Sequence, residues 1–571
     1  MVLGGEDGLR RDERGEQESG GTQLTGFGNF PMLRHLHRTV NLFDTVSLRL
    51  LHVLGWFAVG LPLACGRGDS GTRGAAGGRA GLVYYETYDP RSLDPALSTD
   101  VPTGEMVTLV FDGLTQFDPN GRLLPGLADR WRAERSGQRY VFHLRGGVKF
   151  HDGRSLTATD VRGSLVRVLD PATRGGRVWP LLPIAGAADY AAGRAGDVRG
   201  IEVLGDTAVA FTLVEPLAVF PKFLAMPVAS IVPVPVPSDF GQHPVGTGPW
   251  RFSAWQHDDY LRFTRNPDYW GGSASAESLT VRVVPEPLTR AAEFLAGNLS
   301  VVEIPFGETA KWEREHPDWL QRKPALRVVY LALNNRRGPL REVEVRRAIN
   351  HAVNVPELLR TVWNGRGIAA RGAIPPALGG GDTTRARYAY DTVAARRQLA
   401  QAGYPNGFAV QLWRSGSNVE LGRVAQAIQA QLAAVGIRVE VVARDASSMR
   451  EAARRGQTDM ALLDWWADYP DGDNFLYPLF HSASFGPGGN VSFYSDPATD
   501  SLIATARRTT DDAAREALYR RIDARVYDAA PWLYLWFPVD LWGRGPTVEG
   551  WDLPVIFNGQ RWTTVRQVTP Q

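Results

Sequence analysis

The stretch from Phe408 to Asp464 constrains the fold more than any other part of the chain. Phe408–Trp413 reads as a strand, Val419–Ala434 as a helix stopped by Gly436, and the alternating Ile437–Val442 (IRVEVV) as a second strand. Ser447 caps a helix that ends at Gly456, and Asp459–Asp464 (DMALLD) reads as a buried strand. Strand, helix, strand, helix, strand requires parallel pairing with right-handed crossovers. In open sheets of this kind, ligands bind outside the carboxyl ends of the strands. Two loops leave such ends, one beginning at Arg414 (RSGSN) and one at Trp465 (WWADYPDGDNF). Arg414 offers a planar fork that suits a carboxylate, and Asp468 offers a negative charge that suits an ammonium. A free peptide carries both groups. The plainer reading of each residue is a surface salt bridge.

The rest of the chain fits the same class. Leu82–Glu86, Tyr140–Arg145, Ala208–Leu213 and Leu279–Val284 read as strands, the last crossing between domains. Trp250–Ala254 and Tyr260–Thr264 read as a hairpin across the polar Gln256-His257-Asp258 turn. Thr157–Leu169 reads as a helix with Asp160 and Arg162 on its polar side. Val345, Ala348, Ile349 and Ala352 keep helical spacing, and Asp391 caps a helix ending near Gly403. No fixed-period repeat is present.

Length and composition bound the function. The 571 residues give room for two or three domains. A net charge of +2 without a long basic block gives no reason to expect nucleic acid as a partner. The single cysteine, Cys65, excludes an internal disulfide framework and a Cys-rich metal site. No phosphate-binding, zinc-protease or nucleophile-elbow motif occurs. DYPDGDN at 468–474 lacks the spacing and terminal Glu of a calcium loop, so it reads as a ligand loop or a capped turn. No catalytic residue, metal or cofactor is expected.

The N-terminal region reads as an export signal. Residues 1–31 are polar and Gly-rich, as in a disordered or untranslated segment. Met32 is a plausible start, followed by the basic Arg34, His35, His37 and Arg38. The apolar run Leu50–Ala64 is short for a membrane span and fits a signal-peptide core within 32–64. Leu61-Pro62-Leu63-Ala64-Cys65 resembles a lipoprotein signal whose cysteine takes a diacylglycerol, although Pro62 stands where leucine is usual. The alternative is ordinary secretion, or an uncleaved anchor, with a chance cysteine. Residues 65–81 read as the anchor and a Gly-rich tether, too flexible to make Cys65 a catalytic nucleophile.

Ten segments in order resemble a known family. They are Ser92–Ala96 (SLDPA), Phe111–Leu114 (FDGL) with Asp118 and Gly121, Leu127–Trp131 (LADRW), Tyr140–Arg145 (YVFHLR), Val148–Gly153 (VKFHDG), Thr157–Val161 (TATDV), Gly246–Trp250 (GTGPW), Arg265–Trp270 (RNPDYW), Val345–Ile349 (VRRAI) and Trp466–Asp471 (WADYPD). From Leu82 to the C-terminus the chain resembles the peptide/nickel-binding group of extracytoplasmic solute receptors, family 5, which serve ABC importers. The resemblance implies a two-lobed α/β periplasmic-binding-protein fold of type II, with a hinge and a central cleft. Lobe I would comprise 82–283 plus 531–571, and lobe II 284–530.

The resemblance also implies a function: capture of di- or oligopeptides and delivery to the permease and ATPase complex of the inner membrane. The protein would be a monomer in the periplasm or on the outer face of the cell membrane, held by a lipid anchor. Asp468 would bind the peptide's α-amino group, Arg414 would match the carboxylate-binding arginine of dipeptide receptors, and Trp465, Trp466 and Tyr469 would line the cleft. The arginine that some oligopeptide binders carry near Ala461-Leu462-Leu463 is missing. Gly246 and Gly248 are expected to permit a tight turn, and His151-Asp152-Gly153 a turn before a helix. A receptor for a nickel chelate, haem, a sugar or an opine, or an exported peptidase, are the alternatives.

Overall fold

The computed structural model describes residues 81–568. The readings of residues 1–80, including the signal segment and Cys65, lie outside the described residues. No helix among the described residues is long and apolar enough to cross a membrane.

The first part of the chain builds two four-stranded sheets. β1 (Leu82–Glu86) leads to α1 (Val101–Val110), whose first turn is capped by Asp100 accepting from the Thr103 N–H. β2 (Ala128–Glu134), β3 (Arg139–Leu144), β4 (Ile201–Val203) and β5 (Ala208–Thr212) form one sheet in the order β2-β3-β5-β4. β6 (Trp250–Gln256) and β7 (Tyr260–Arg265) make the expected hairpin. β8 (Ser278–Val283) completes the order β1-β8-β7-β6, with β1 and β8 parallel. The helix expected over 157–169 runs Ala158–Leu169. Asp160 is not on its polar side but buried, because it closes a capping box with Thr157.

The large sheet follows. β9 (Val301–Glu303), β10 (Leu320–Pro324), β11 (Arg327–Leu333), β12 (Gly367–Ala369), β13 (Phe408–Ser415), β14 (Ile437–Arg444), β15 (Met460–Trp466) and β16 (Trp532–Arg544) pair in the order β9-β16-β11-β15-β13-β14, with β10 and β12 also on β16. β13 is parallel to both β14 and β15, as the strand–helix alternation requires. β15 and β16 are both antiparallel to β11. The intervening helices run Val419–Ala433, capped by Asn418, and Ala446–Arg454, capped by Asp445 rather than Ser447.

Alternation along these strands sorts their side chains into two faces. Val329, Leu331, Leu333, Leu412, Met460 and Leu462 pack with Val424 and Ile428 of the 419–433 helix. Val328, Tyr330, Ala332, Ala461 and Trp532 face the other way. They join a core that runs through Tyr469 and Phe475 to Phe220, Phe223 and Phe142 of the early chain. The face carrying Trp465 is therefore the one pressed against the N-terminal half.

The shared motifs explain themselves as packing. The Asp112 carboxylate is buried and receives bonds from Thr247 Oγ1 at 2.7 Å, Tyr269 OH at 3.2 Å and Trp270 Nε1 at 3.1 Å, and it pairs with Arg561 at 2.7 Å. Three separate motifs thus meet at one charge. Gly246 and Gly248 are required for close approach, not for a left-handed turn. A Cβ on Gly246 would lie 2.1 Å from the Val110 carbonyl oxygen, and one on Gly248 would lie 2.5 Å from the Val110 carbonyl carbon. Both ring nitrogens of His151 face backbone groups: Nδ1 accepts from Gly246 N–H, and Nε2 lies 3.0 Å from the Gly248 carbonyl oxygen. Burial lowers its pKa.

Candidate ligand-binding site

The site is built on the loop that leaves β15. The sheet extends further than expected, so Trp465 and Trp466 are the last two strand residues, paired with Val328 and Arg327 of β11. They point to opposite faces. Trp465 is half-buried on the side of the N-terminal half, and its Nε1 donates to Asn474 Oδ1 at 3.3 Å. Trp466 is 53% exposed, with the Arg327 guanidinium over its ring at 4.4 Å and its Nε1 on Asp464.

The acidic residues of the loop have different environments. Asp471 is buried, bonded by Lys222 Nζ at 2.6 Å and Tyr519 OH at 2.7 Å, with Arg515 at 3.6 Å. Burial would raise its carboxyl, but Lys222 and Arg515 outweigh that and hold it below its ordinary value. Asp473 is also buried and accepts from Tyr469 OH at 2.8 Å; burial raises its carboxyl, against the pull of Arg507. Tyr469 itself is buried edge-on against Phe223, centroids 4.9 Å apart. These bonds fix the loop.

Asp468 is the one left within reach of solvent. Its backbone N–H is held by Asn474 Oδ1 at 2.9 Å, while its side chain keeps 27% of its surface exposed. Arg177 Nη1 lies 2.9 Å from its Oδ1, and Arg177 Nη2 donates to the Thr99 carbonyl at 2.9 Å. Burial pushes the Asp468 carboxyl up from the ordinary range, opposed by the Arg177 charge and by hydrogen bonding with the Asn474 side chain.

Arg414 lies elsewhere. β13 continues to Ser415, paired with Arg444 of β14, so Arg414 is inside the strand and not at the start of a loop. It shares the face of Phe408, Val410 and Leu412, toward the 419–433 helix. Its guanidinium stands against Gly422 of that helix and donates to the Ser415 carbonyl at 2.8 Å. No contact between Arg414 and Asp468 occurs among the described residues.

Sequence reasoning missed Arg177, Trp179, Lys222 and Phe223, which bring the N-terminal half to this loop. Trp179 sits 5.2 Å from Phe223 and 6.2 Å from Tyr469, ring to ring. The one local signal was Gly175-Gly176 ahead of Arg177. A Cβ on Gly176 would lie 2.7 Å from Thr99 Cγ2, so the glycines let this segment press against the 96–99 turn.

The fold and this loop meet in one family. The profile of the bacterial extracellular solute-binding proteins, family 5 (middle), matches residues 122–487. The chain belongs to that family. The family 5 protein is 32% identical over 456 residues to the glutathione-binding protein GsiB of Pectobacterium atrosepticum, covering 78% of this chain and 86% of the relative. It is 30% identical over 478 residues to the dipeptide-binding protein of Escherichia coli (strain K12), covering 80% and 88%. Among solved structures it resembles the periplasmic binding protein DppA from Helicobacter pylori in complex with the peptide STSA. The TM-score is 0.70 and the identity 30%, over 86% of this chain and 98% of that one. The family 5 protein therefore has the two-lobed α/β fold of the periplasmic peptide-binding proteins. Its ten ordered motifs lie within that fold.

Proposed function

We propose that the family 5 protein is the extracytoplasmic binding component of an ABC importer, that it captures short peptides, and that Asp468 receives the ligand's α-ammonium. The observation that carries this reading is the contrast within the 467–474 loop. Asp471 and Asp473 are locked by internal partners, whereas Asp468 stands on a rigid backbone with its carboxylate still accessible. A desolvated ammonium needs such a partner. Trp465, held by the same Asn474 oxygen as the Asp468 N–H, supplies apolar surface beside it, whereas Tyr469 packs in the core under the loop, and Trp466 and Arg414 lie on the opposite face of the sheet. The ligands for which the relatives are named, a dipeptide and glutathione (itself a tripeptide), agree with this class.

The protein acts by binding and release, not turnover. The lobes divide near Val284 and along β16, and they close on the ligand. Cys65 carries the lipid anchor, and the protein works as a monomer beside its permease. The direct test is gentle purification from the native host and mass spectrometry of the co-purified small molecule. A short peptide is expected; a metal chelate, haem or sugar would overturn the reading.

A further inference from the structure

We propose that the protein holds a second ligand site, separate from the 465–474 loop, for a phosphorylated anion carrying at least two negative charges. It is a cavity of about 710 Å³ between the turn after β11, the Val343–Ala352 helix, the 493–496 loop and the end of the Asp512–Ala529 helix. No residue of the 465–474 loop lines it. The site does not depend on the peptide reading.

Five arginines of its wall stand against two aspartates, and the fold accounts for three of the five. Arg346 is 6% exposed. Its Nε and Nη2 donate to the Ala529 carbonyl at 3.1 and 2.8 Å, closing the C-terminal end of the Asp512–Ala529 helix. Arg347 Nε donates to the Asp528 carbonyl at 3.0 Å, and its Nη1 lies 2.9 Å from Glu344. Arg525 pairs with Asp496 at 2.6 Å. Arg336 and Arg341 have no such duty. Neither meets a carboxylate among the described residues. Arg341 bonds only through Nε, to the Arg336 carbonyl at 2.9 Å, and the Arg336 guanidinium makes no hydrogen bond there.

Arg336 is nevertheless held in place. Its guanidinium lies 4.3 Å from the Phe485 ring centroid and 5.1 Å from that of Phe493. Phe493 adopts a left-handed backbone conformation, φ 52°, which a non-glycine residue keeps only where its surroundings impose it. This sets its ring against Gly456, where a Cβ would come within 3.1 Å of it. A guanidinium stacked on aromatic rings keeps its N–H edges for a fork onto an anion.

The charge of Arg346 is unmatched as well. Burial and, less strongly, the neighbouring Arg347 bring its guanidinium down to about 10. Carbonyls solvate that cation without neutralising it. The Val343–Ala352 helix also starts at this wall, and Glu342 makes no side-chain cap on its first turn, so the positive end of the helix dipole adds to the field. The forks come from three elements. A planar carboxylate takes one fork edge-on, whereas a phosphoryl group offers oxygens to several. The cavity is large enough for a small molecule and not only for a lone ion.

The test is calorimetric titration with inorganic pyrophosphate, sulfate and citrate, using the wild type and the Arg336→Gln, Arg341→Gln double variant. Both side chains are exposed, so the variant is expected to fold and to bind peptide as the wild type does. The wild type is expected to bind pyrophosphate at least about tenfold more tightly than sulfate or citrate, and less tightly as salt rises. The double variant should lose about a hundredfold, roughly tenfold for each charge-assisted contact. The single variants, each losing about tenfold, stand in if the double variant is unstable. Vesicles carrying phosphatidic acid separate the two sources of such a group. Vesicle uptake that the variant loses assigns a lipid head group, and pyrophosphate binding without uptake assigns a soluble ligand; either supports the site. Sulfate or citrate binding as tight as pyrophosphate overturns the inference. So does pyrophosphate binding that the variants leave unchanged, or no binding of pyrophosphate or vesicles at about millimolar concentration.

Discussion

Lys222 and Asp471 are 249 positions apart in the chain, yet Nζ and Oδ2 lie 2.6 Å apart. The same ammonium donates to the Pro470 carbonyl at 2.8 Å, so one lysine of the early chain pins the start of the ligand loop. Lys222→Met leaves Asp471 with Tyr519 and a longer contact to Arg515. The expected cost is roughly 3 kcal/mol, because a buried carboxylate loses its nearest counter-charge. Because the folded carboxyl is held below its unfolded value, this stabilisation is present above the ordinary Asp range and lost as pH falls through the folded value. Denaturant unfolding of both proteins at pH 7 and in acid checks this; the difference between them should shrink in acid.

A second titration runs the other way. Burial lifts the Glu105 carboxyl from 4.5 to about 7, and burial together with Glu105 raises Glu86 well above its ordinary range. Glu86 is 6% exposed, and Tyr84 OH donates to Glu105 at 3.1 Å. A folded state that holds a proton more tightly than the unfolded one loses stability as pH rises from the unfolded pKa to the folded one. Stability should therefore fall between about pH 4.5 and 7. Glu105→Gln should remove part of that slope and stabilise the protein at pH 8 by on the order of 1–2 kcal/mol. Glu86, and Asp540, raised to about 7 mainly by burial, keep the remainder. Thermal unfolding at pH 5 and pH 8 reads the difference; an unchanged slope in the variant would contradict the assignment.

Ligand should compact the protein. The core that joins Phe220 and Phe223 to Tyr469 and Trp532 belongs to both halves of the chain. A closed form that binds ligand better gains population when ligand is present. Small-angle scattering should show a smaller radius of gyration with peptide. An unchanged radius with binding confirmed would contradict a hinge.

Cys65 carries an independent prediction. Membrane-derived protein should begin at a diacylglyceryl cysteine and partition into detergent, and Cys65→Ala should appear as soluble protein or as unprocessed precursor. An unmodified thiol at Cys65 in that preparation would remove the anchor and leave binding intact.

How far the sequence could be read followed from the range of the interactions. The 408–464 alternation was legible because periodicity and caps are local, and the elements stand within two residues of their expected ends. The loop position of Asp468 was legible because it follows a strand end. Strand length was not, since β13 and β15 are prolonged by pairing with β14 and β11, which no local signal reports. That shift moved Arg414, Trp465 and Trp466 from loops into strands and sent them to alternate faces. Arg177 was invisible for the strongest version of the same reason: its partner lies 291 positions away. Asp160 looked like a surface residue because a capping box and a polar stripe use the same residue type.

The central claim is that Asp468 reads the ligand's ammonium. Asp468→Asn keeps the side chain's shape and removes its charge. Loss of one partner of a buried charge pair costs roughly 2–5 kcal/mol, so affinity for a free peptide should fall by about thirtyfold or more. The N-acetylated twin should already bind poorly to the wild type and be hurt far less by the substitution. The measurement is calorimetric titration of both proteins with both ligands. A large loss confined to the free peptide is the predicted result. Equal losses for the two ligands would make Asp468 a support of the fold, and unchanged binding of both would contradict the account.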